Sequence, residues 1–495
     1  MSSGNGRNVE AANKHRSKAW GFLQRSNKRG LKVQGQSVVE SDVRKVPDES
    51  VSLSSVQPTK PYSKPQTKAS RQGTERTASE QDERVGSEQH TRPSGVGLST
   101  AQTIKTPSKP QFWRIRNIRS SEVDHARKWV RETSQFGFSL AKDGEDSYCA
   151  TVTSAECVPP ADRAQWRVDK EFLGITPLSD PVNAEVDVVA VTGLAGHALG
   201  SFRSADGTFV WLRDVLPSDV PEARVLTYGY DTALVKNQSK ESLYHFASAF
   251  LDRLDSFRRA TSTQRRPVCF LGHSLGGVVL KEALTISDLA NRSRRDCMRN
   301  LDDCGAALYT CGLVLFGVPN LGLQHRQLLA MVKGQRNENF VRSLVVNEDN
   351  EPSPYLAEHT RKFSQMCAEQ MPPLEIYSYF ETEPSPTVKA SHTTLLTISS
   401  SADDATQEIG HRDFKTSGKP TIMVSELSSE RIGATIRNAT EHIPMKKDHR
   451  GLVRFEPFDS DYRYSVKDKI QTLVRQAPRI IQERLQRIEG FDLTL

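Results

Sequence analysis

The pattern of apolar and polar positions changes character near residue 110. Before that point the chain is rich in Ser, Lys, Gln, Glu and Pro, and it has almost no apolar periodicity, as in "KPYSKPQTKASRQGTERTASEQDERVGSEQ". Such a segment buries too little apolar surface to offset the entropy lost on ordering. Residues 1–110 are therefore predicted to form a long disordered, basic and polar tail.

A small α+β pattern occupies residues 111–180. It contains a strand-like stretch, "FWRIRNI", a helix-like stretch, "SEVDHARKWVRE", and a second strand-like stretch, "SYCATVTSA". An RNA-recognition domain also begins in this way. The stretch "CATVT" lacks the aromatic residues on which bases stack, so a small segment without RNA binding is favoured.

Strands and helices alternate from Val186 onward. The stretch "VDVVAV" is almost continuously apolar, as a parallel strand covered on both faces requires. Further strands are predicted at "ARVLTYGY", "PVCFL", "CGLVLFG", "LEIYSYF" and "TIMVSEL", and an amphipathic helix is predicted over 243–257. This alternation predicts an α/β fold with a mostly parallel, doubly wound sheet over 181–463.

Two segments interrupt or follow this pattern. Residues 386–419 are rich in Ser, Thr and Asp and are predicted to form a mobile insertion between the last two strands. Residues 464–495 have apolar positions at helical spacing and predict an amphipathic helix that Pro478 breaks or kinks. Such a helix more often covers a core than touches a membrane surface, and peripheral membrane contact is the alternative.

Composition narrows the class of protein. The chain has 495 residues, 26% of them charged, and a net charge of +7, which is too mild for a dedicated nucleic-acid binder. Its seven cysteines include no CxxC pair, so reduced thiols in an intracellular, cytoplasmic protein are expected, with Cys269 and Cys311 in the core.

Targeting signals are weak. No run of 18 apolar residues predicts a transmembrane helix, and the N-terminus lacks the apolar stretch of a secretory signal. The first 39 residues are basic, which is typical of a mitochondrial transit peptide and also of an ordinary disordered tail. The low apolar content favours the tail.

The stretch "RPVCFLGHSLGGVVLKEAL" carries the strongest chemical signal. Ser274 is the central residue of a G-x-S-x-G motif, with an apolar strand before it and a helix after it. Gly272 and Gly276 supply the small neighbours that the strained turn of such a nucleophile requires. The alternative, an idle serine in a glycine-rich turn, is disfavoured by this strand–turn–helix context.

A serine nucleophile needs a base and an orienting acid, and in this fold class they follow it in the order acid, then histidine. Only His442 and His449 follow the last predicted strand, and His449 in the polar turn "KKDHRGLVRF" is preferred. Glu381, at the end of "LEIYSYFE", is the preferred acid, with Glu383 as the alternative. The expected oxyanion donors are the backbone N–H groups of Leu275 and, in "VAVTGLAGH", of Gly193 or Leu194.

These stretches resemble a known family, the fungal α/β-hydrolase domains related to the serine-active-site-containing, lipase-like proteins. The same domain occurs at the N-terminus of some fungal signalling ATPases. The resemblance covers residues 170–458 and includes "VDVVAVTGLAGHALGSF", "WLRDVLP", "FLGHSLGGVVLKEAL", "LVLFGVPNLGL", "YFETEPSPT" and "DHRGLVRF".

The resemblance implies an α/β-hydrolase fold, Ser274 as nucleophile, His449 as base, Glu381 as acid, and Leu194 and Leu275 as oxyanion donors. It also implies links to phospholipid remodelling at mitochondrial and endoplasmic-reticulum membranes. Thr192 stands where members commonly have histidine. In "FGVPN", Pro-Asn, ending at Asn320, stands where members more usually have Pro-His.

The sequence therefore predicts an intracellular serine hydrolase acting on carboxylic esters, including lipid or phospholipid esters. The predicted mechanism needs no metal and no organic cofactor. The rival hypothesis is a catalytically weak or inactive hydrolase-fold adaptor that binds a protein or lipid partner, because a fold alone does not fix function.

Overall fold

A computed structural model describes residues 110–234, 241–293, 305–325, 327–347, 349–387, 418–431 and 440–492. The predicted tail up to residue 109 lies outside the described residues. Residues 388–417, most of the predicted mobile insertion, also lie outside them.

A four-stranded antiparallel sheet opens the described part of the chain, with the strand order β2-β3-β1-β4. Its strands are β1 (Gln111–Arg119), β2 (Phe138–Gly144), β3 (Ser147–Ser154) and β4 (Arg167–Asp169). Helix α1 (Val123–Thr133) buries Ala126 and Val130 in the small core under this sheet. The predicted strand–helix–strand order is present, and β2 and β4 are additional strands.

A seven-stranded sheet forms the centre of the fold, in the order β13-β10-β9-β8-β6-β7-β5. Its strands are β5 (Gly174–Ser179), β6 (Val186–Val191), β7 (Ala223–Gly229), β8 (Val268–His273), β9 (Thr310–Phe316), β10 (Glu375–Glu381) and β13 (Thr440–Met445). All neighbouring strands are parallel except the edge pair β5 and β7. The predicted α/β-hydrolase fold, with its mostly parallel sheet, is confirmed by this topology.

Helices pack against this sheet and against one another. They are α2 (Trp211–Asp214), α3 (Leu216–Asp219), α4 (Leu243–Ala260), α5 (Leu275–Ser293), α6 (Ala306–Tyr309), α7 (Gln327–Val332), α8 (Glu338–Leu344), α9 (Pro354–Glu369), α10 (Glu426–Glu430) and α11 (Lys467–Asp492). Helix α5 packs between α4 and α9, and α11 packs along β9. None of the helices in the described ranges combines the length and the apolar composition needed to cross a bilayer.

A buried arginine helps to join the small sheet to the central sheet. Arg114 of β1 donates from Nε to Asp169 (3.0 Å) and from Nη1 to the Leu173 carbonyl (3.0 Å) and the Thr176 hydroxyl (2.9 Å). Thr176 belongs to β5, the edge strand of the central sheet. A charged side chain that is 2% exposed therefore makes three hydrogen bonds at this junction, which offset part of the cost of its burial.

The prediction of a strand at "TIMVSEL" is wrong. Residues Gly418–Thr421 form β12, which pairs with the short strand β11 (Ser385–Thr387) outside the central sheet, and helix α10 begins at Glu426. The N–H groups of Met423 and Val424 donate to a carboxylate instead of to a strand partner. The last strand of the central sheet is β13, whose sequence "TEHIPM" is too polar to be recognised as a buried strand.

Pro478 was predicted to break or kink the C-terminal helix, and the break is wrong, because α11 runs without interruption from Lys467 to Asp492. Ala477, Ile480 and Ile481, which flank the proline, are buried. Further along, Arg484 donates from Nη1 to the carbonyls of Leu308 and Thr310. This packing offsets the backbone hydrogen bond that proline removes from a helix.

Candidate active site

Ser274 lies in a sharp turn between β8 and α5, with φ of +52°. A non-glycine residue in the left-handed region stores strain that the surrounding structure must offset. Here the Ser274 N–H donates to the Phe316 carbonyl at the end of the neighbouring strand β9 (2.9 Å). The turn is therefore anchored at the carboxyl edge of the sheet, and Ser274 is 5% exposed.

The glycines beside Ser274 permit close backbone approach. A Cβ built at Gly276 would collide with the carbonyl oxygens of Val191 and Thr192, which end β6 and begin the next loop. A Cβ at Gly272 would lie 2.7 Å from the Gly277 Cα, so strand β8 and helix α5 meet with no room for a side chain. Both predicted structural glycines thus occupy positions where any larger residue must displace backbone.

Glu381 and His449 are in contact. Nδ1 of His449 lies 2.8 Å from Oε2 of Glu381, and both side chains are buried. The other carboxylate oxygen, Oε1, accepts from the N–H groups of Met423 (2.7 Å) and Val424 (2.9 Å). Because a carboxylate only accepts hydrogen bonds, Nδ1 of the histidine is the donor and Nε2 is left as the acceptor.

The alternative residues lie elsewhere. Glu383 is exposed, and its N–H donates to the Lys447 carbonyl. His442 lies within β13, opposite Ser378 of β10, and not in the loop that follows the strand. Glu381 and His449, the acid and the base that the sequence favoured, therefore lie together at the carboxyl ends of β10 and β13.

The nucleophile turn and the histidine loop meet at Gly317. Ser274 bonds to the Phe316 carbonyl, and a Cβ built at the next residue, Gly317, would lie 2.9 Å from Nδ1 of His449. His273, the residue before Ser274, contacts the His449 carbonyl through Nε2 (3.0 Å). Burial, together with the nearby His449, lowers the pKa of His273 to about 3, so His273 is neutral and donates from Nε2.

The predicted oxyanion loop lies against Ser274. A Cβ built at Gly193 would lie 2.8 Å from the Ser274 Cβ, and Leu194 follows directly. On the other side of the serine, Leu275 is the first residue of α5, where backbone N–H groups have no partner within the helix. Both predicted donors therefore belong to segments that flank the nucleophile.

Thr192, which stands where the resembling family commonly has histidine, braces this loop. Its hydroxyl donates to Ser201 Oγ (2.6 Å), and its carbonyl accepts from the Tyr230 hydroxyl (2.9 Å). Two residues beyond Leu194, a Cβ at Gly196 would collide with the Thr192 hydroxyl. The loop thus has a defined set of partners in the absence of the family histidine.

Sequence reasoning missed several groups that hold the site. His273 was readable as a polar residue beside the serine, but its contact with the His449 carbonyl depends on the tertiary fold. The Ser385 hydroxyl accepts from the His449 N–H (3.0 Å). The backbone donors at Met423 and Val424 carry no sequence signal, because any residue except proline supplies an N–H.

Within the described ranges, no group of three or more His, Cys, Asp or Glu side chains is placed to hold a metal ion.

Comparisons with known proteins found distant relatives. No family model matches the chain. The chain is 24% identical over 222 residues to Protein SERAC1 of Mus musculus and 25% identical over 226 residues to Protein SERAC1 of Bos taurus; each match covers 42% of this chain and 31% of the relative. The chain thus spans about a third of the length of these relatives. This similarity supports the predicted family in part, and the fungal signalling-ATPase context stays a prediction.

Solved structures were also found by similarity of fold. Lipase BlEst2 of Bacillus licheniformis aligns with a TM-score of 0.32 at 13% identity, covering 59% of this chain and 94% of that one. Phospholipase PlaB of Legionella pneumophila, in complex with thio-NAD, aligns with a TM-score of 0.35 at 12% identity, covering 61% and 62%.

Proposed function

We propose that the chain is a serine hydrolase of carboxylic esters, with Ser274 as nucleophile, His449 as base and Glu381 as the orienting acid. The observation that carries this proposal is the 2.8 Å contact between His449 Nδ1 and Glu381 Oε2. His273, whose Nε2 contacts the His449 carbonyl, directly precedes Ser274, which has a positive φ in a strand–turn–helix elbow. A serine, a histidine and an acid in this order support acyl transfer, because α/β-hydrolases use such a set for it.

The proposed reaction begins when Nε2 of His449 takes the hydroxyl proton of Ser274. The serine Oγ forms a bond to the acyl carbon, and the oxyanion accepts hydrogen bonds from the Leu194 and Leu275 N–H groups. The ester C–O bond then breaks as His449 returns the proton to the departing alcohol. Water, deprotonated by His449, attacks the acyl-enzyme and releases the acid and the free serine.

Glu381 supports this reaction through orientation. Three donors hold its carboxylate: the imidazole of His449 and the N–H groups of Met423 and Val424. A fixed carboxylate keeps the imidazole in the tautomer that presents Nε2 as acceptor, and it stabilises the imidazolium formed during attack.

The proposed substrates are carboxylic esters, among which lipid and phospholipid esters are implied by the family resemblance. Association with mitochondrial or endoplasmic-reticulum membranes is implied by the same resemblance and stays a prediction. The rival is an inactive binding module, favoured by Thr192 at the family's histidine position and by the low exposure of Ser274.

Labelling by a fluorophosphonate probe tests the proposal. The purified chain is compared with Ser274→Ala and His449→Ala, and Ser293→Ala, at the exposed end of α5, is the matched control. We expect labelling of the unchanged chain and of Ser293→Ala, and its loss in the other two. A folded, unlabelled parent chain would reject the enzyme and support the binding module.

A further inference from the structure

Three arginines lie on two loops that carry proposed groups of the site. Arg450 directly follows His449, the proposed base. Arg454 lies at the other end of the 3₁₀ turn Gly451–Val453 on the same loop. Arg203 lies between β6 and β7, in the segment that continues from the proposed oxyanion loop.

Hydrogen bonds join the two loops. The Ala205 N–H, two residues after Arg203, donates to Glu456 Oε1 (2.7 Å). The Trp211 indole, from the start of α2, donates from Nε1 to the Val453 carbonyl (2.9 Å). Both acceptors flank the second arginine of the loop that carries the proposed base. That arginine and Arg203 therefore belong to segments in direct contact.

The positive charges of the three arginines interact. Arg454 is partly buried, and burial lowers the pKa of its guanidinium. The charges of Arg203 and Arg450 lower this pKa further, and the Asp448 carboxylate opposes them. Like charges shift each other's pKa only at short range, so the three side chains form one group, which we call the arginine cluster.

The arginine cluster lies within electrostatic range of the nucleophile turn. The low pKa of His273 is due first to burial and then to His449, and the charges of Arg454 and Arg450 contribute to it. His273 directly precedes Ser274, and its Nε2 contacts the His449 carbonyl. The cluster therefore adjoins both the proposed nucleophile and the proposed base.

No ion pair neutralises the arginine cluster within the part of the chain that the structure describes. There, the three guanidinium groups donate no hydrogen bond and contact no carboxylate. The acids nearest to them in sequence are Asp206, Asp448 and Glu456, each of which accepts a hydrogen bond from a backbone N–H. Like charges held together repel one another, and an anion bound among them replaces that repulsion by attraction.

We propose that the arginine cluster binds a phosphate monoester carried by the alcohol half of the ester substrate. The inference rests on the proposed function, and it specifies the substrate class of the same site. A phosphate monoester has three free oxygens and a charge of about −1.5 to −2 near neutral pH. It therefore matches three guanidinium groups, whose planar forks bind phosphate oxygens, better than a singly charged carboxylate does.

The position of the cluster assigns the phosphate to the alcohol half. The departing alcohol must lie within reach of His449 to receive its proton. Two of the three arginines belong to the loop of that histidine. A phosphate on the alcohol half therefore lies on the side of the site where the cluster is.

Pairs of esters that differ only in the phosphate test the proposal. 1-Acetylglycerol 3-phosphate is compared with 1-acetylglycerol, and 1-palmitoylglycerol 3-phosphate with 1-palmitoylglycerol. We expect kcat/KM for the phosphate monoester to exceed that for its unphosphorylated partner by about tenfold or more. A preference in the acetyl pair supports a water-soluble phosphate ester, and one confined to the palmitoyl pair supports a lipid with a phosphate headgroup. Equal values in both pairs would overturn the proposal.

Arg454→Gln and Arg450→Gln assign the preference to the arginine cluster. The ratio of kcat/KM between phosphorylated and unphosphorylated esters should fall about tenfold in each variant. Because both esters are measured on the same protein, a change in the folded fraction cancels in the ratio. Arg450 is exposed, so Arg450→Gln tests the cluster even where Arg454→Gln fails to fold.

Arg127→Gln is the matched control, because it removes the same charge from an exposed position of α1, outside the cluster. Its ratio should equal that of the parent chain. Ratios unchanged in both cluster variants, or lowered equally in the control, would contradict the assignment.

A binding measurement keeps this proposal separate from the catalytic one. Ser274→Ala is titrated with methyl phosphate and dimethyl phosphate in saturation-transfer NMR, which needs no activity. A preference of about fivefold or more for the monoester, lost in Ser274→Ala/Arg450→Gln, would support the phosphate site even if fluorophosphonate labelling fails. Absence of a preference would reject the site even if labelling succeeds.

Discussion

At the scale of single residues, the placement of protons in the site depends on Glu381. Its two oxygens have different tasks, since Oε1 accepts from two backbone N–H groups and Oε2 accepts from His449. An amide in the same place has one oxygen and one donor nitrogen. The backbone donors at Met423 and Val424 would take the oxygen, so the nitrogen would face the histidine.

Glu381→Gln should therefore reverse the tautomer of His449. An amide N–H facing Nδ1 forces the ring proton onto Nε2, which then has no lone pair for the Ser274 proton. We expect kcat for an ester substrate to fall by about 10³–10⁴-fold with little change in unfolding temperature. Steady-state kinetics on the purified variant measures this.

Glu383→Gln is the control for that variant, because Glu383 is an exposed carboxylate two residues away. Its kcat should stay within about threefold of the parent, as is usual for surface changes. Equal losses in the two variants would contradict the assignment of Glu381 as the orienting acid.

At the scale of elements, the helix that begins at the nucleophile turn also carries a buried amine. Lys281 of α5 is fully buried, and its Nζ contacts Asn320 Oδ1 (2.5 Å) and the Thr360 hydroxyl (3.2 Å). Burial lowers the pKa of Lys281 to about 7, and the nearby Cys367 and Glu282 oppose this shift in part. Asn320 also donates to the Ser429 carbonyl (3.1 Å), so the amine helps to join α5 to α10.

Lys281→Met should remove a pH dependence of stability. The unfolded lysine has a pKa near 10.4, so between about pH 7 and pH 10 the unfolded chain binds a proton that the folded chain does not. The stability of the parent relative to the variant should rise with pH across this window, by about 1.4 kcal/mol per unit. Urea unfolding of both proteins from pH 6.5 to 9.5 measures the difference, and parallel pH profiles would contradict the buried, neutral amine.

The strands of the central sheet that could be predicted most directly from sequence are those buried on both faces. Strands β6, β8 and β9 consist wholly of buried residues, and their near-continuous apolar runs were sufficient to predict them as strands. The edge strands β5 and β13 were missed because each contains a proline and several polar residues, Pro177 and Pro444 among them. Edge strands tolerate such residues, so their composition does not separate them from loops.

The residues of the site also differ in how far the sequence predicts them. Ser274 is predictable because strand, turn and helix are neighbours in sequence. The contact between Glu381 and His449 joins residues 68 positions apart, so sequence offered candidates by chain order but not the pairing itself. The mistaken strand at "TIMVSEL" concealed the backbone donors of Met423 and Val424, since a strand would have used those N–H groups in the sheet.

At the scale of the whole molecule, the two ends of the strands in the central sheet carry different groups. The proposed site lies at the carboxyl ends of the strands, and a buried ionic cluster lies at their amino ends. Asp187, near the start of β6, is fully buried and accepts from Arg224 through both carboxylate oxygens (2.9 and 2.8 Å). Arg266 and Arg258 also approach it, at 3.3 and 3.8 Å.

Asp187→Asn should therefore destabilise the fold without altering the chemistry of the folded protein. Removing the carboxylate leaves the buried Arg224 without the group with which it forms its ion pair, which costs about 3–5 kcal/mol. The control is Glu441→Gln, which breaks an exposed ion pair with Lys469 (2.8 Å) and should cost less than about 1 kcal/mol. Urea unfolding measures the change in stability of both variants. Ester kinetics at urea concentrations below the unfolding transition measures kcat of the folded protein. A fall in kcat of fully folded Asp187→Asn would contradict the separation, because it would mean that strands β6–β8 transmit strain from the amino edge to Ser274.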